Sequence, residues 1–193
     1  MYGKESLQTL IREQCLVNGL LGEDQVQVNG VELTIERIEK FMGAGCIGYS
    51  NKDRVLPATS VLEWSNEWMH LPRGAYKVVF NETVKIPLDM MAIARPRSSL
   101  LRMGVSVETA VWDAGYEGRS EAMLVVYNEC GLRIKKNARL IQLVFMPLDQ
   151  IQREGYKGRY QGENIDETRT RGSHPAQGEQ SAYKGKKSHP IKE

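Results

Sequence analysis

Tyr76-Lys77-Val78-Val79-Phe80, the polar break Asn81-Glu82-Thr83, and then Val84-Lys85-Ile86 form two short apolar alternations with a turn between them. Each run is too short to build the continuous apolar stripe of a packed helix. Its period of two, rich in β-branched and aromatic residues, is that of a strand with one buried face. The same texture extends in both directions, in Val31-Glu32-Leu33-Thr34-Ile35, Met123-Leu124-Val125-Val126-Tyr127 and Leu140-Ile141-Gln142-Leu143-Val144-Phe145. Short strands separated by turn residues at roughly 8–12-residue intervals predict an all-β sandwich or barrel. One helix is expected before them. Over residues 4–16, Leu7, Leu10 and Ile11 fall at helical spacing behind Ser6 as a candidate cap, and Gly19, Gly22, Asn29 and Gly30 then break the chain. No long helical period follows residue 20, and no internal repeat is visible.

Composition sets the outer limits. The chain has 193 residues, 41% of them hydrophobic, enough for one packed domain. No run approaches the roughly 20 apolar residues of a membrane span, and the first residues lack the basic patch and apolar stretch of a secretion signal. Cys15, Cys46 and Cys130 are odd in number and far apart, which predicts reduced thiols in a cytoplasmic protein and not a disulfide framework. A net charge of +2 is too weak to predict nucleic acid as a partner, so an anionic ligand would be met by a few placed cations. Residues 152–193 hold only Ile165 and Ile191 as large aliphatics. The sequence therefore predicts a domain over 1–170 that includes an arm ordered only against a partner or ligand, and a disordered tail over 171–193.

Three blocks carry candidate chemistry. Pro96-Arg97-Ser98-Ser99-Leu100-Leu101-Arg102 puts a guanidinium beside two hydroxyls, a donor set suited to phosphate oxygens. Val111-Trp112-Asp113-Ala114-Gly115-Tyr116-Glu117-Gly118 puts one carboxylate before a glycine-bounded turn holding a tyrosine, and such an Asp could orient and deprotonate a water. Arg139-Leu140-Ile141-Gln142-Leu143-Val144-Phe145 buries one amide in an apolar strand. Alone, each block has a plainer reading: a capped turn, an Asp-Gly turn with a packed ring, and a satisfied core glutamine.

In this order, the Pro-Arg-Ser-Ser-Leu, Asp-x-Gly-Tyr-x-Gly and Arg-Leu-Ile-Gln-Leu-Val-Phe blocks resemble the motifs of the dUTPase and dCTP-deaminase superfamily. Residues 91–146 carry nearly all of the resemblance. Gly30-Val31-Glu32-Leu33 echoes the first family motif faintly, and Tyr160-Gln161-Gly162-Glu163 is similar to the deaminase-type arm. The resemblance implies a distorted jelly-roll-like β-barrel, a homotrimer with shared active sites, and hydrolysis of dUTP to dUMP and pyrophosphate with Mg²⁺. It implies Asp113 as the base activating water for attack on the α-phosphorus, and Tyr116 beneath the deoxyribose. Arg97, Ser98 and Ser99 would hold phosphates from a neighbouring subunit. Arg102 would assist the triphosphate or the subunit contact, Gln142 would touch the phosphate chain or position the nucleotide, and Tyr160 and Gln161 would contact substrate from the arm. A hairpin from Val105 to Trp112 would read uracil through its backbone.

The alternative within this superfamily is a dCTP deaminase or a bifunctional dCTP deaminase/dUTPase. Deaminases of this kind carry a catalytic Glu in the strand after the Gly-Tyr-x-Gly turn. Counting from either end of that strand gives Met123 or Val125, neither of which titrates. Glu121, in a segment about two residues longer than usual, is the one carboxylate that could replace it; its plainer reading is a solvent-facing group in a turn.

Overall fold

The computed structural model describes residues 1–165. The predicted domain boundary at 170, the tail over 171–193, and His174 and His189 lie outside the described residues. Helix α1 (Lys4–Gln14) is followed by β1 (Val17–Asn18), β2 (Val26–Gln27), β3 (Gly30–Phe41), β4 (Thr59–Val61), β5 (Trp68–Leu71), β6 (Gly74–Phe80), β7 (Thr83–Lys85) and β8 (Met90–Pro96). A one-turn helix α2 (Ser98–Arg102) precedes β9 (Val105–Glu108), β10 (Glu117–Gly118), β11 (Glu121–Val126), β12 (Leu132–Lys135) and β13 (Arg139–Pro147).

The main sheet runs β8-β13-β3-β6-β11-β9, all antiparallel, with β2 and β4 added to the long strand β3. Its two ends, β8 and β9, are consecutive in sequence, joined by α2 and in contact, so the sheet curls into a nearly closed barrel. Smaller sheets β1-β7-β10 and β5-β12 cover its ends. The mostly-β prediction is borne out.

Bulges explain where simple alternation fails. The register of β13 against β3 shifts between Arg139 and Ile141, and that of β3 against β6 shifts between Ile35 and Arg37. Each extra residue swaps the faces of the residues beyond it, which is how neighbouring Leu140 and Ile141 are both fully buried. The core is filled by Leu33, Ile38, Val78, Phe80, Leu124, Leu143 and Phe145, all without exposed surface. Such side chains contribute about 1.5–3 kcal/mol each on burial.

The helix differs slightly from expectation. Gly3 is its N-cap, Ser6 lies inside it, and it ends at Cys15 in the left-handed conformation (φ 57°). Leu7 plugs the core while Leu10 and Ile11 pack half-buried against it. Glu82, in the turn between β6 and β7, is fully buried. It accepts from Gln25 Nε2 (2.6 Å), Thr34 N (2.9 Å) and Thr34 Oγ1 (2.6 Å), tying the segment before β2 to the barrel wall. Among the described residues no helix is long and apolar enough to cross a membrane.

Candidate active site

The first group of site residues gathers where β8 ends. Arg97 is the extended N-cap of α2, and its amide donates to Leu140 O of β13 (2.9 Å). Its side chain, about a third exposed, donates from Nε to Glu32 Oε1 at 2.6 Å. Glu32 is buried on β3 and faces a second cation, because Arg139 Nε lies 3.2 Å from Oε2. That second contact is an ion pair without hydrogen-bond alignment, so Oε2 has no hydrogen-bond donor among the described residues. Ser98 and Ser99 are exposed at the start of α2. Arg102 folds back so that Nη1 donates to Ser98 O (2.9 Å). Gln142 is half-buried on β13, opposite Glu32 on one side and Arg95 on the other. Gly30 crosses β13 closely: a Cβ there would meet Leu143 O at 2.5 Å.

Asp113 belongs to a second group. Trp112 is pinned to β8 by paired backbone hydrogen bonds with Ala92, both 3.0 Å. The turn then closes by Tyr116 N to Asp113 O (3.1 Å), and Gly115, at φ 81°, donates to Ile86 O (2.9 Å). This leaves the Asp113 side chain exposed. Beneath it Tyr116 is only 6% exposed. Its hydroxyl donates to Glu163 Oε1 (2.7 Å) and lies 3.2 Å from Ser120 Oγ, which accepts from Trp112 Nε1 (2.6 Å).

The arm differs from the expectation that it orders only against a partner or ligand. Residues 152–165 pack on their own chain, beside the Asp113 turn. Tyr156 N donates to Ala114 O (2.8 Å), Gly162 N to Glu117 O (2.7 Å) and Arg119 N to Glu163 O (2.9 Å). Gln161 uses both ends of its amide, donating to Gly115 O (3.1 Å) and accepting from Glu117 N (3.1 Å). A Cβ on Gly115 would lie 2.5 Å from Gly155 Cα, so the two segments meet backbone to backbone. The Tyr156 ring meets Tyr116 edge-on (centroids 5.8 Å apart), and Arg54 lies over the Tyr160 ring (5.6 Å). Burial pushes the Glu163 carboxyl up to about 7; the Glu121 charge adds to this, and the Tyr116 hydrogen bond and Lys77 oppose it. Burial likewise drives the Tyr116 hydroxyl upward.

Each residue named from sequence thus falls in one of two groups: Arg97, Ser98, Ser99, Arg102 and Gln142 in one, Asp113, Tyr116, Tyr160 and Gln161 in the other. Among the described residues no hydrogen bond or ion pair joins the two. Tyr116 is not an open platform, since its ring is covered by its own arm, and Gln161 is engaged within the chain. Residues 105–112 do not form the expected hairpin on themselves: β9 pairs with β11, and Trp112 pairs with Ala92. Glu121 is not a free surface carboxylate, because Lys77 Nζ (3.1 Å) and Asn164 Nδ2 (3.2 Å) both donate to it. Sequence reasoning missed Glu32, Ser120 and Glu163 as parts of the site. The signal for Glu32 was a lone acid in the apolar run Val31–Ile35; Ser120 and Glu163 gave none.

Comparison with known proteins gives the family and the fold. Residues 1–148 match the family described as dCTP deaminase-like. Over 150 residues the chain is 53% identical to a protein of Methanosarcina acetivorans named "Probable deoxyuridine 5'-triphosphate nucleotidohydrolase", covering 77% of this chain and 88% of that one. It is 40% identical over 146 residues to the "Deoxyuridine 5'-triphosphate nucleotidohydrolase" of Methanocaldococcus jannaschii, covering 74% and 90%. Among solved structures, the 2'-deoxycytidine 5'-triphosphate deaminase of Agrobacterium tumefaciens shares the fold with a TM-score of 0.60 at 21% identity, over 75% of this chain and 46% of that longer one. A barrel with these two groups of residues, matched along most of its length, belongs to the dCTP deaminase-like family.

Proposed function

We propose that the protein hydrolyses dUTP to dUMP and pyrophosphate. The observation that carries this reading is the exposed Asp113 side chain, held at the first position of a turn pinned on both sides, in a chain whose archaeal relatives are named for dUTP hydrolysis. Asp113 takes a proton from water as the water oxygen bonds to the α-phosphorus. The bond from that phosphorus to the bridging oxygen breaks, and pyrophosphate leaves with the electron pair. Arg97, Ser98, Ser99 and Gln142 hold the phosphate chain, with Arg97 aimed by Glu32 and Arg102 supporting the first turn of α2. Such chemistry depends on alignment and charge neutralisation more than on covalent help. Among the described residues no three His, Cys, Asp or Glu side chains converge as metal ligands. Mg²⁺ is part of the proposal: bound with the substrate beside Arg97, it would supply charge neutralisation for the triphosphate.

Two observations support a homotrimer with shared sites. Among the described residues, the phosphate-binding and base-bearing groups make no direct polar link within one chain. Ile93, Leu101, Met103, Val111, Met123 and Tyr127, all around β8, α2, β9 and β11, are 37–59% exposed, an apolar surface that a neighbouring subunit would cover. The deaminase alternative is disfavoured because Glu121 is already held by Lys77 and Asn164.

The test is incubation with dUTP and with dCTP separately, with products resolved by chromatography. We expect dUMP and pyrophosphate from dUTP and no uracil nucleotide from dCTP; dUTP or dUMP formed from dCTP would overturn the hydrolase-only reading, and failure to form dUMP from dUTP would overturn hydrolysis itself. Asp113→Asn should still bind nucleotide but lose on the order of 10²–10⁴-fold in rate.

A further inference from the structure

Four side chains around the Asp113 turn are joined by three consecutive hydrogen bonds. The indole N–H of Trp112 goes to Ser120 Oγ (2.6 Å), and the Tyr116 hydroxyl proton goes to Glu163 Oε1 (2.7 Å). Ser120 Oγ and the Tyr116 oxygen, 3.2 Å apart, form the middle link. When Tyr116 donates to the ionised carboxylate, its oxygen is left to accept from the Ser120 hydroxyl. Trp112, Tyr116 and Ser120 are 4%, 6% and 3% exposed, so none of these links is exchanged freely with water. The relay begins one residue before Asp113 and passes through the residue that closes its turn. It ends on the arm, which docks through Glu163, Gln161 and Gly162.

Burying three polar side chains and half-burying a carboxylate stabilises a fold no better than apolar packing would. What a fully partnered network does supply is one fixed geometry. We propose that Ser120 and Glu163 are positioning residues for Asp113, holding both flanks of its turn in the reactive arrangement, and that docking of the arm completes this by delivering Glu163. The inference rests on Asp113 as the base. Neither residue touches substrate in this scheme; each acts through Trp112 and Tyr116.

The test is steady-state kinetics with dUTP at pH 7 on the full chain, alongside thermal melts, for Ser120→Ala, Ser120→Thr, Glu163→Ala, Glu163→Gln and the double alanine variant. Misplacing a reactive group by about 1 Å costs roughly 10²-fold, so both alanine variants should lose about 10–100-fold in kcat with KM near the wild-type value. Ser120→Thr and Glu163→Gln, which keep an oxygen at the same place, should restore most of it. The double variant should be no slower than the slower single one, because the two residues act as one unit. Should Ser120→Ala fail to fold, Glu163→Ala, which truncates a half-exposed arm residue, carries the test. Wild-type kcat in both alanine variants while Asp113→Asn is inactive would overturn this inference alone. A Glu163→Gln variant as slow as Glu163→Ala, or fully additive losses, would overturn it too. An Asp113→Asn variant at full activity would instead remove the reading beneath it.

Discussion

Glu163→Gln should change how the stability of the arm depends on pH. The folded protein raises this carboxyl from 4.5 to about 7, chiefly through burial. A raised acid pKa means that the fold favours the protonated form. The contribution is therefore complete below about 4.5 and is lost as pH rises through about 7. At about 1.36 kcal/mol per unit, the shift corresponds to roughly 3.4 kcal/mol at most. Glu163 is only half-buried, and solvent screening reduces the figure to about 1–2 kcal/mol. Glutamine stays neutral and still offers an oxygen to Tyr116. Wild type and variant should thus be nearly equal at pH 4.5, and the variant should be more stable by about 1–2 kcal/mol at pH 8. Denaturant midpoints across this range give the global effect. Hydrogen exchange at the amides of Arg119 and Gly162, which bond to Glu163 O and Glu117 O, reports on the arm itself. Because Glu121 and Lys77 also act on Glu163, salt should narrow the pH dependence. A difference between the proteins that is constant from pH 4.5 to 8, or a variant less stable than wild type at pH 8, would refute the reasoning.

Glu32→Ala leaves Arg97 and Arg139 without their shared carboxylate. Breaking a buried pair costs about 3–5 kcal/mol, and because both guanidiniums are about a third exposed the expected loss is nearer 1–3 kcal/mol; a melt should show it, and KM should rise as Arg97 loses its aim. Arg97→Lys should raise KM with little change in melting temperature, since an ammonium cannot make a bidentate phosphate contact; an unchanged KM would remove Arg97 from the phosphate site. Gly115→Ala would press a Cβ to 2.5 Å from Gly155 Cα at a φ of 81°, costing about 1–3 kcal/mol of local strain. Limited proteolysis should then find the arm released while the barrel stays folded.

Much of the barrel is legible in the sequence because a strand with one buried face writes its period directly, as β6 does from Tyr76 to Phe80. The places where the period breaks, at Arg139–Ile141 and Ile35–Arg37, are bulges, and no local pattern announces which residue will be extra. The packing of the arm on its own chain is not legible in the sequence for a related reason. The arm's composition rightly says that residues 152–165 have little aliphatic surface to bury, but docking here does not rest only on the packing of Tyr156 and Tyr160 against the core. It depends on two glycines meeting backbone to backbone, on amides of the arm and the turn reaching each other's carbonyls, and on the carboxamides of Gln161 and Asn164. Polar docking of this kind is invisible to hydropathy and is specific only once the partner surface exists. The site divides along the same line. Asp113, Arg97 and the serine pair stand out in the sequence because each sits in a block that resembles a family motif. Ser120 and Glu163 look like ordinary polar residues, and only the fold brings one strand's approach and a distant arm to the same tyrosine hydroxyl. The exposed Asp113, proposed as the base, can be found from sequence, but the buried hydrogen-bonded group beside its turn required the three-dimensional arrangement. It follows that substitutions at Ser120 and Glu163, which no motif marks, should disturb catalysis more than substitutions at Tyr160, whose ring meets Arg54 and whose link to Glu163 is through its backbone oxygen.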